Sequence, residues 1–473
     1  KFVHIIPHIL FILLIINHAK KEGSWFYEEK VRIRKWRGNM RRTYCCHKLS
    51  CFFRNRNGFD RPMVYHSAIC SNGAIGISFA ELNGLMPRVQ GGTGQYLLAG
   101  MGPLPSLIGN LSAYVITEIL SMTAEITLCG LVLKGLFLPH VDNRIISIII
   151  MALFLVINLF GVDIFSKVQN IVVFLLIGSM VLIGLIGVCK LGISSNVVDY
   201  AANAPTFEQI GGFKGLCSYA ALAFWLFIGV EFIIPVAKDL KNPRRDVLLS
   251  MTIGLVLLFF VQSILGIGMT NYVSLDILAN DPAGTPHMTY ATNLLGNAGR
   301  IWMGIITILA AASTINTVYA SVSRIVQGMG EEGMMPSVFA KTNKRGAAWV
   351  GLVVLFVFVA GIIASGLGAT EGVSFLLLSG SCFWLLTYCL VHVTVLILRK
   401  RNPEYPRKKW LTLGGIPQII GILGNVYMIW NISTGETRIK IFELCGVLFA
   451  GLVVYSIIWV CGVMKASPFQ PVP

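Results

Sequence analysis

The chain has 473 residues, of which 55% are hydrophobic and only 13% are charged, and its formal net charge is +16. Soluble domains carry about 25% charged residues, so this composition excludes an ordinary soluble globular protein. Most of the positive charge comes from residues 20–56. The high overall charge is therefore no sign of nucleic-acid binding by the rest of the chain.

The N-terminal residues 1–72 form an atypical basic segment with one short apolar run at residues 2–19. That run contains Pro7 and several histidines, and the basic residues after it show little hydrophobic periodicity. Three interpretations are open: an uncleaved signal-like anchor, a basic arm that touches anionic lipid, or translated sequence that does not belong to the working protein.

Apolar runs long enough to cross about 30 Å of hydrocarbon recur along the remaining chain. In chain order they predict about eleven transmembrane helices, at residues 68–86, 105–133, 145–161, 167–191, 217–238, 247–270, 299–326, 348–365, 371–397, 412–431 and 441–464. The sequence therefore predicts an all-α integral membrane protein.

The loops between these runs predict the orientation of the bundle. Basic residues concentrate after the runs ending at 238, 326 and 397, whereas the alternate loops 192–216, 271–298 and 366–370 hold almost none. Cytoplasmic loops carry an excess of Lys and Arg, so the basic loops are predicted to lie inside.

The run at 217–238 has an unusual centre, where Gly229 is followed by the carboxylate of Glu231 and then by Pro235. Unpaired backbone in hydrocarbon costs several kcal/mol, so an interrupted helix is tolerated only where it lines a cavity. Secondary transporters bind substrate at such interruptions. We expect non-helical backbone within residues 227–230. The alternative is a glycine kink that packs against a neighbouring helix.

Two further carboxylates, Glu118 and Glu125, lie seven residues apart in the run at 105–133 and share one helix face. Ionised carboxylates facing lipid would be expensive, which makes this pair compatible with proton coupling. Hydrogen-bonded structural acids, or the wall of a water-filled vestibule, are the alternative.

The chain shows no pattern typical of an enzyme or a metalloprotein. It lacks a phosphate-cradling glycine loop and a nucleophile–base pair, and the run Cys45-Cys46-His47 with Cys51 lacks the paired spacing of zinc modules. The segment Gly91-Gly92-Thr93-Gly94 is predicted to be a cytoplasmic turn. No enzyme activity, cofactor or metal site is predicted.

Four segments of the chain are distinctive motifs: Phe79-Ala80-Glu81-Leu82 with Met86-Pro87, Asn158-Leu159-Phe160-Gly161-Val162 through Gln169-Asn170, Phe227-Ile228-Gly229-Val230-Glu231 through Lys241-Asn242-Pro243-Arg244-Arg245-Asp246, and Arg324 through Glu331-Glu332-Gly333 to Asn343. Taken together and in register, they resemble amino-acid permeases of the amino acid–polyamine–organocation superfamily. The resemblance covers residues 73–473, which we expect to form the permease-type transmembrane domain.

This resemblance implies the LeuT-like fold of two inverted five-helix repeats, with substrate held between the family's broken first and sixth helices and transport by alternating access. The chain enters the pattern in the family's second helix, so the glycine-rich first helix has no counterpart. The run at 2–19 contains no glycine and cannot supply it. We therefore expect half of the binding site to be missing from this sequence, and we favour the interpretation that residues 1–72 do not belong to the working protein.

The resemblance also implies roles for particular residues. The interrupted sixth helix would bind substrate through Phe227, Ile228, Gly229 and Val230, while Trp225 resembles the aromatic lid of some relatives. Glu231, Glu118 and Glu125 are the candidates for proton coupling. In sodium-coupled relatives, hydroxyls at the positions of Ser313, Thr314 and Thr317 help to hold the cation; elsewhere they join helices.

The sequence thus predicts a secondary amino-acid permease of the cytoplasmic membrane, whose partners are an amino acid, the lipid bilayer and H⁺ or Na⁺ as coupling ion, with no nucleic acid. A non-transporting sensor or scaffold with a degenerate permease fold is one alternative. Transport of polyamines or other organic cations is another, and the three glutamates fit it. Residues 168–187 lack the lysine that many proton-coupled relatives carry there, so exchange, glutamate-linked proton coupling and sodium coupling all stay open.

Overall fold

The structure is a computed structural model. It describes residues 61–87, 92–160, 162–198, 227–229, 231–234, 242–274, 285–367, 372–405, 413–433 and 435–471, together with residues 208, 212, 240, 277 and 407. The apolar run at 2–19, the cysteine-containing run at 45–51 and most of the predicted span 217–238 lie outside these residues.

Eleven helices account for most of the described part of the chain. They are α1 (Arg61–Leu85), α2 (Thr93–Met101), α3 (Pro103–Leu136), α4 (Asn143–Leu159), α5 (Val162–Val188), α6 (Pro243–Thr270), α7 (Pro286–Glu331), α8 (Trp349–Ser365), α9 (Gly372–Arg401), α10 (Ile416–Trp430) and α11 (Gly435–Val463). No β-strand occurs among the described residues.

Seven helical segments in the described ranges are long and apolar enough to cross a membrane, and α4 and α8 are shorter apolar helices of 17 residues. The crossing segments comprise α3, the part of α5 at Ile171–Val188, α6, α7, α9, α10 with its short 3₁₀ lead, and α11. The prediction of an all-α, multi-pass integral membrane protein is confirmed.

Helix boundaries follow from local chemistry. Proline occupies the first turn of α3, α6, α7 and α10, where a missing N–H costs nothing. Asp142 caps α4 by accepting a hydrogen bond from the Arg144 N–H at 2.9 Å. Gly366 ends α8 in the left-handed conformation, with φ of 81°.

Two local predictions were incomplete. The segment 91–94 was predicted as a turn; Gly91 lies outside the described residues, Gly92 (φ 72°) is in a turn, and α2 already begins at Thr93. The predicted span at 299–326 is preceded by an additional short helix, because α7 is bent at Leu295 and at Gly296, which has φ of 63° and ψ of −143°. Gly102, with φ of 96°, separates α2 from α3.

Helix α9 is central to the bundle and packs against α1, α2, α3, α10 and α11. Thr117 on α3 donates to the Gly380 carbonyl oxygen at 3.0 Å, and Thr387 on α9 donates to the Gly109 carbonyl oxygen at the same distance. Such hydroxyl–carbonyl contacts join helices where lipid supplies no hydrophobic driving force. They hold α3 and α9 in the register that determines the geometry of the site.

The ends of α1 and α9 that are predicted to be cytoplasmic are joined by a largely buried ion pair. Arg399 donates through Nε and Nη2 to the two carboxylate oxygens of Glu81, at 2.9 and 2.5 Å. Arg407 donates to the same carboxylate at 3.2 Å, and the Glu81 side chain is only 4% exposed. This cluster fixes the end of α1 against the bundle.

Candidate functional site

The backbone at Gly229 departs from a helix. Its φ of 100° lies in the left-handed region, which residues with a Cβ rarely adopt. The N–H of Phe232 donates to the Gly229 carbonyl at 3.1 Å and begins a short 3₁₀ turn at residues 231–234. The prediction of non-helical backbone within 227–230 is therefore confirmed at Gly229. Phe227 and Ile228 are fully buried beside it.

Two of the residues expected at this break, Trp225 and Val230, lie outside the described residues. Their proposed roles as a lid and as part of the binding backbone stay predictions.

The carboxyl group of Glu231 follows the break directly and is buried, with 1% of the residue exposed. The Tyr388 hydroxyl on α9 lies 3.0 Å from Oε1 and 2.9 Å from Oε2 and donates to this carboxyl group. Ionisable groups inside a membrane protein are costly, and they usually mark a substrate, ion or proton pathway.

An aromatic cluster surrounds Glu231. Phe232 contacts Tyr114 of α3 and Trp384 of α9, with ring centroids 5.6 and 5.8 Å apart. Tyr114 and Trp384 contact each other at 5.8 Å, and Tyr388 contacts Trp384 at 6.4 Å. These rings form edge-to-face and tilted pairs, the arrangements that aromatic rings prefer when they pack. The break is thus enclosed between α3 and α9.

Glu118 lies one turn after Tyr114, on the same face of α3, and is fully buried. Ser121 donates to Glu118 Oε2 at 3.1 Å, whereas Oε1 has no hydrogen-bond partner among the described residues. Glu118 and Glu231 are within electrostatic range of each other. The structure therefore brings these two carboxyl groups to one region.

Glu125 has a different environment, although it shares a helix face with Glu118. Its side chain is hydrogen-bonded to Thr314 of α7. This contact joins α3 to α7, as expected for the alternative in which Glu125 is a structural acid.

The hydroxyls of Ser313 and Thr317 belong to an amide network between α4, α5 and α7. The side-chain amide of Gln169 donates to Ser313 Oγ at 2.7 Å and to Thr317 Oγ1 at 3.2 Å. Asn316 donates to Gln169 Oε1 at 3.1 Å and accepts from Asn158 at 3.0 Å. Helix joining accounts for these contacts without a bound cation.

No group of three or more His, Cys, Asp and Glu side chains is placed to hold a metal ion within the described ranges. The chemistry that this site offers is hydrogen bonding from irregular backbone, a carboxyl group with a tyrosine partner, and aromatic walls.

Sequence reasoning missed Tyr114, Trp384 and Tyr388. A usable signal was present, because Trp384 and Tyr388 are four residues apart in an apolar helix, as are Tyr114 and Glu118. Residues at this spacing share a helix face, and Tyr and Trp usually need a hydrogen-bond partner when buried.

A membrane-spanning helical bundle with left-handed backbone at Gly229, a buried acid beside it and aromatic walls has features of a membrane transporter. The fold is similar to that of the Eremococcus coleocola manganese transporter, with a TM-score of 0.54 over 84% of this chain and 87% of that one. The sequence identity to it is 14%, so this similarity concerns the fold alone.

The family model described as amino acid permease matches residues 63–457, and the chain belongs to the amino acid permease family. It is 24% identical to a histidine permease of Lactococcus lactis, over 65% of this chain and 68% of that protein. It is 27% identical to a branched-chain amino acid permease of Bacillus subtilis, over 52% of this chain and 50% of that protein. The chain thus spans between about half and about two thirds of these relatives. They are permeases rather than enzymes, which supports transport of amino acids or related compounds.

Proposed function

We propose that this protein is a secondary transporter that moves amino acids across the membrane by alternating access, with the substrate bound at the helix break. The observation that carries the proposal is the left-handed backbone at Gly229 beside the buried carboxyl group of Glu231. Family membership supports the substrate class.

The break can recognise the charged groups common to all amino acids. A residue with φ of 100° interrupts the regular hydrogen-bonding pattern of a helix, which makes backbone N–H and C=O groups available to a ligand. Gly229 has no Cβ, so a ligand can approach the backbone closely there. Partial charges at the ends of interrupted helices favour a carboxylate at one end and an ammonium group at the other.

Glu231 is the first candidate for the group that couples transport to protons, and Glu118 is the second. Glu231 adjoins the break and is held by Tyr388, so a change in its protonation would be transmitted to both the break and α9. Glu125 ranks third because it is bonded to Thr314. Sodium held by hydroxyls of Ser313, Thr314 and Thr317 is the alternative mechanism.

A second candidate function is transport of substrates with a cationic side chain, including polyamines. Glu118 Oε1 is buried without a hydrogen-bond partner among the described residues, and a substrate ammonium or guanidinium group would provide one. Arginine should then compete with labelled substrate more strongly than leucine, and Glu118→Gln should abolish that preference. Equal competition by arginine and leucine would contradict this second function.

We further propose the cytoplasmic membrane as the location. A fluorescent fusion of the full chain should accumulate at the cell boundary. Accumulation on an internal membrane would contradict this proposal.

The proposed function is tested by supplying the chain with the expected glycine-rich first helix ahead of α1, reconstituting it in liposomes, and measuring binding and counterflow of radiolabelled amino acids. Saturable binding that an excess of unlabelled substrate displaces, together with counterflow above that of empty liposomes, is the expected result. Binding without counterflow would support the sensor or scaffold alternative. Neither binding nor counterflow with any amino acid would contradict the proposal.

A further inference from the structure

A cavity of about 590 Å³ lies at the opposite end of α3 from the Glu81 cluster. Its walls come from α3, the connection to α4, the first residues of α4 and the end of α8, and none of the described residues 227–229 and 231–234 lines it. The positive-inside orientation places this cavity on the extracellular side. Its size lies within the range of about 300–1,000 Å³ that is typical of small-molecule sites.

A buried hydroxyl forms the inner wall of this cavity. Thr127 of α3 is 2% exposed, and its Oγ1 has no hydrogen-bond partner among the described residues. Buried hydroxyls nearly always have a partner, because leaving one unpaired costs free energy. A ligand in the cavity that accepts a hydrogen bond would supply the missing partner.

The outer part of the cavity is basic. Lys134, His140 and Arg144 line it, and Asp142 is the one acidic residue among its lining residues. Asp142 is already paired, since it accepts from the Arg144 N–H at 2.9 Å and from Arg144 Nη2 at 3.2 Å. Lys134 forms no ion pair with any described residue.

The state of Asp142 determines the net charge of the lining. Hydrogen bonds from the Arg144 backbone and side chain, followed by the charges of Arg144 and Lys134, hold the pKa of Asp142 below its usual range. Asp142 is therefore ionised at neutral pH and offsets one of the two permanent positive charges. Lys134, Arg144 and Asp142 together thus give the lining a net charge of about +1.

We propose that this cavity binds a singly charged oxyanion, either a free carboxylate or phosphate or the phosphodiester headgroup of an anionic lipid. Lys134 supplies the uncompensated charge, Arg144 lies at the mouth, and Thr127 donates a hydrogen bond at the inner end. Charge-assisted hydrogen bonds to carboxylate and phosphate are the strong class of such contacts. This site is separate from the helix break and does not depend on the proposed transport function.

The two sources of the anion are distinguished with the purified full chain. In one arm, binding of acetate and of inorganic phosphate is measured in detergent by thermal stabilisation, with chloride at equal ionic strength as the reference. In the other arm, native mass spectrometry counts bound phosphatidylglycerol, with phosphatidylcholine as the reference. Binding in the first arm identifies a soluble anion, and binding in the second arm alone identifies a lipid headgroup.

Lys134→Gln should weaken the binding about tenfold, since it removes a charge-assisted contact. Thr127→Val, which keeps the shape and removes the hydroxyl, should weaken it by a smaller factor. Lys440→Gln, which removes an exposed lysine of α11 away from the cavity, should leave it unchanged. If Lys134→Gln does not fold, Arg144→Gln replaces it. The absence of binding in both arms, or equal weakening by Lys134→Gln and Lys440→Gln, would overturn the proposal.

Discussion

The Tyr388 hydroxyl lies 3.0 and 2.9 Å from the two carboxylate oxygens of Glu231, so one side chain of α9 fixes the acid next to the helix break. The Tyr388 ring is held in turn between Phe79 of α1 and Trp384, with centroid distances of 6.2 and 6.4 Å. Contacts through Tyr388 therefore link Glu231 to α1 and α9, and Glu231 also adjoins the break at Gly229.

Tyr388→Phe should impair transport while it preserves packing. The substitution removes only the hydroxyl, so the carboxyl group of Glu231 loses a buried donor at a cost of about 1–3 kcal/mol. We expect a lower rate of counterflow in proteoliposomes and a lower midpoint of thermal unfolding.

Tyr290→Phe is the matched control for the tyrosine prediction. Tyr290 is also fully buried, and its hydroxyl donates to the Ile183 carbonyl at 2.7 Å, away from Glu231. Tyr290→Phe should lower thermal stability by about as much as Tyr388→Phe does, and it should retain transport. If the two variants transport equally well, Tyr388 has no special role at the site.

Glutamine substitutions identify the carboxyl group that carries a coupled proton. Gln keeps the shape and hydrogen bonding of a protonated Glu but cannot release a proton. Glu231→Gln should flatten the pH dependence of uptake between about pH 5 and about pH 8 and leave substrate binding largely intact. Glu118→Gln should flatten the pH dependence of uptake to a smaller extent.

Glu125→Gln serves as the comparison in the same pH series, because its hydrogen bond to Thr314 is the contact expected of a structural acid. It should lower the folded yield or leave activity unchanged across pH. If all three variants keep the pH dependence of the unmodified chain, these residues do not couple protons, and sodium coupling or exchange remains.

The helices and the break could be predicted from the sequence because their signals are local. An apolar run of sufficient length predicts a span wherever it occurs, and the helix α8 at Trp349–Ser365 agrees closely with the predicted 348–365. Gly229 and Glu231 are two residues apart, so the conflict of a glycine and an acid with a membrane environment is visible in a short window.

The partners in the site could not be predicted, because they come from distant parts of the chain. Glu231 and Tyr388 are separated by 157 positions, and Glu125 meets Thr314 across α3 and α7. Helix periodicity defines the face on which a side chain lies but not the helix opposite that face. Glu118 and Glu125 share a face, yet their hydrogen-bond partners differ: Ser121 of α3 donates to Glu118, and Thr314 of α7 is bonded to Glu125.

Gly229→Ala should disrupt the break. A left-handed conformation costs a residue with a Cβ about 1–2 kcal/mol, and the added methyl group would lie beside the backbone that we propose to bind the substrate. We expect substrate binding, measured with radiolabelled amino acids in detergent, to fall more steeply than thermal stability.

Gly178→Ala on α5 is the corresponding control. A Cβ added at Gly178 meets no atom within 4 Å, and alanine favours a helix by roughly 0.5–1 kcal/mol over glycine. This variant should bind substrate normally and be at least as stable as the unmodified chain. Normal binding by Gly229→Ala as well would remove the break from the binding site.

Glu81→Gln should strongly destabilise the protein. It leaves the charges of Arg399 and Arg407 largely buried without their carboxylate, and breaking a buried pair in this way costs about 3–5 kcal/mol. We expect a large loss of monodisperse protein in size-exclusion chromatography. Asp142→Asn removes the acid of an exposed pair with Arg144 and should have little effect. Comparable losses for the two variants would show that burial of the Glu81 cluster does not determine its contribution.

Glu332, which follows the last residue of α7, should make stability depend on pH. Glu332 is exposed as a residue, but partial desolvation of its carboxyl group, and after it the charge of Glu331, raise its pKa above the usual value, while a hydrogen bond with Gln95 lowers it. The folded chain therefore binds the Glu332 proton more tightly than the unfolded chain. The resulting contribution to stability is greatest below the usual pKa of about 4.3, and it is lost as the pH rises through the pKa of the folded chain.

Glu332→Gln cannot lose a proton, so this variant should not lose stability as the pH rises. Its thermal unfolding midpoint should approach that of the unmodified chain at about pH 4 and exceed it at about pH 7. A difference in midpoint that stays constant across this range would show that Glu332 does not titrate differently in the folded and unfolded states.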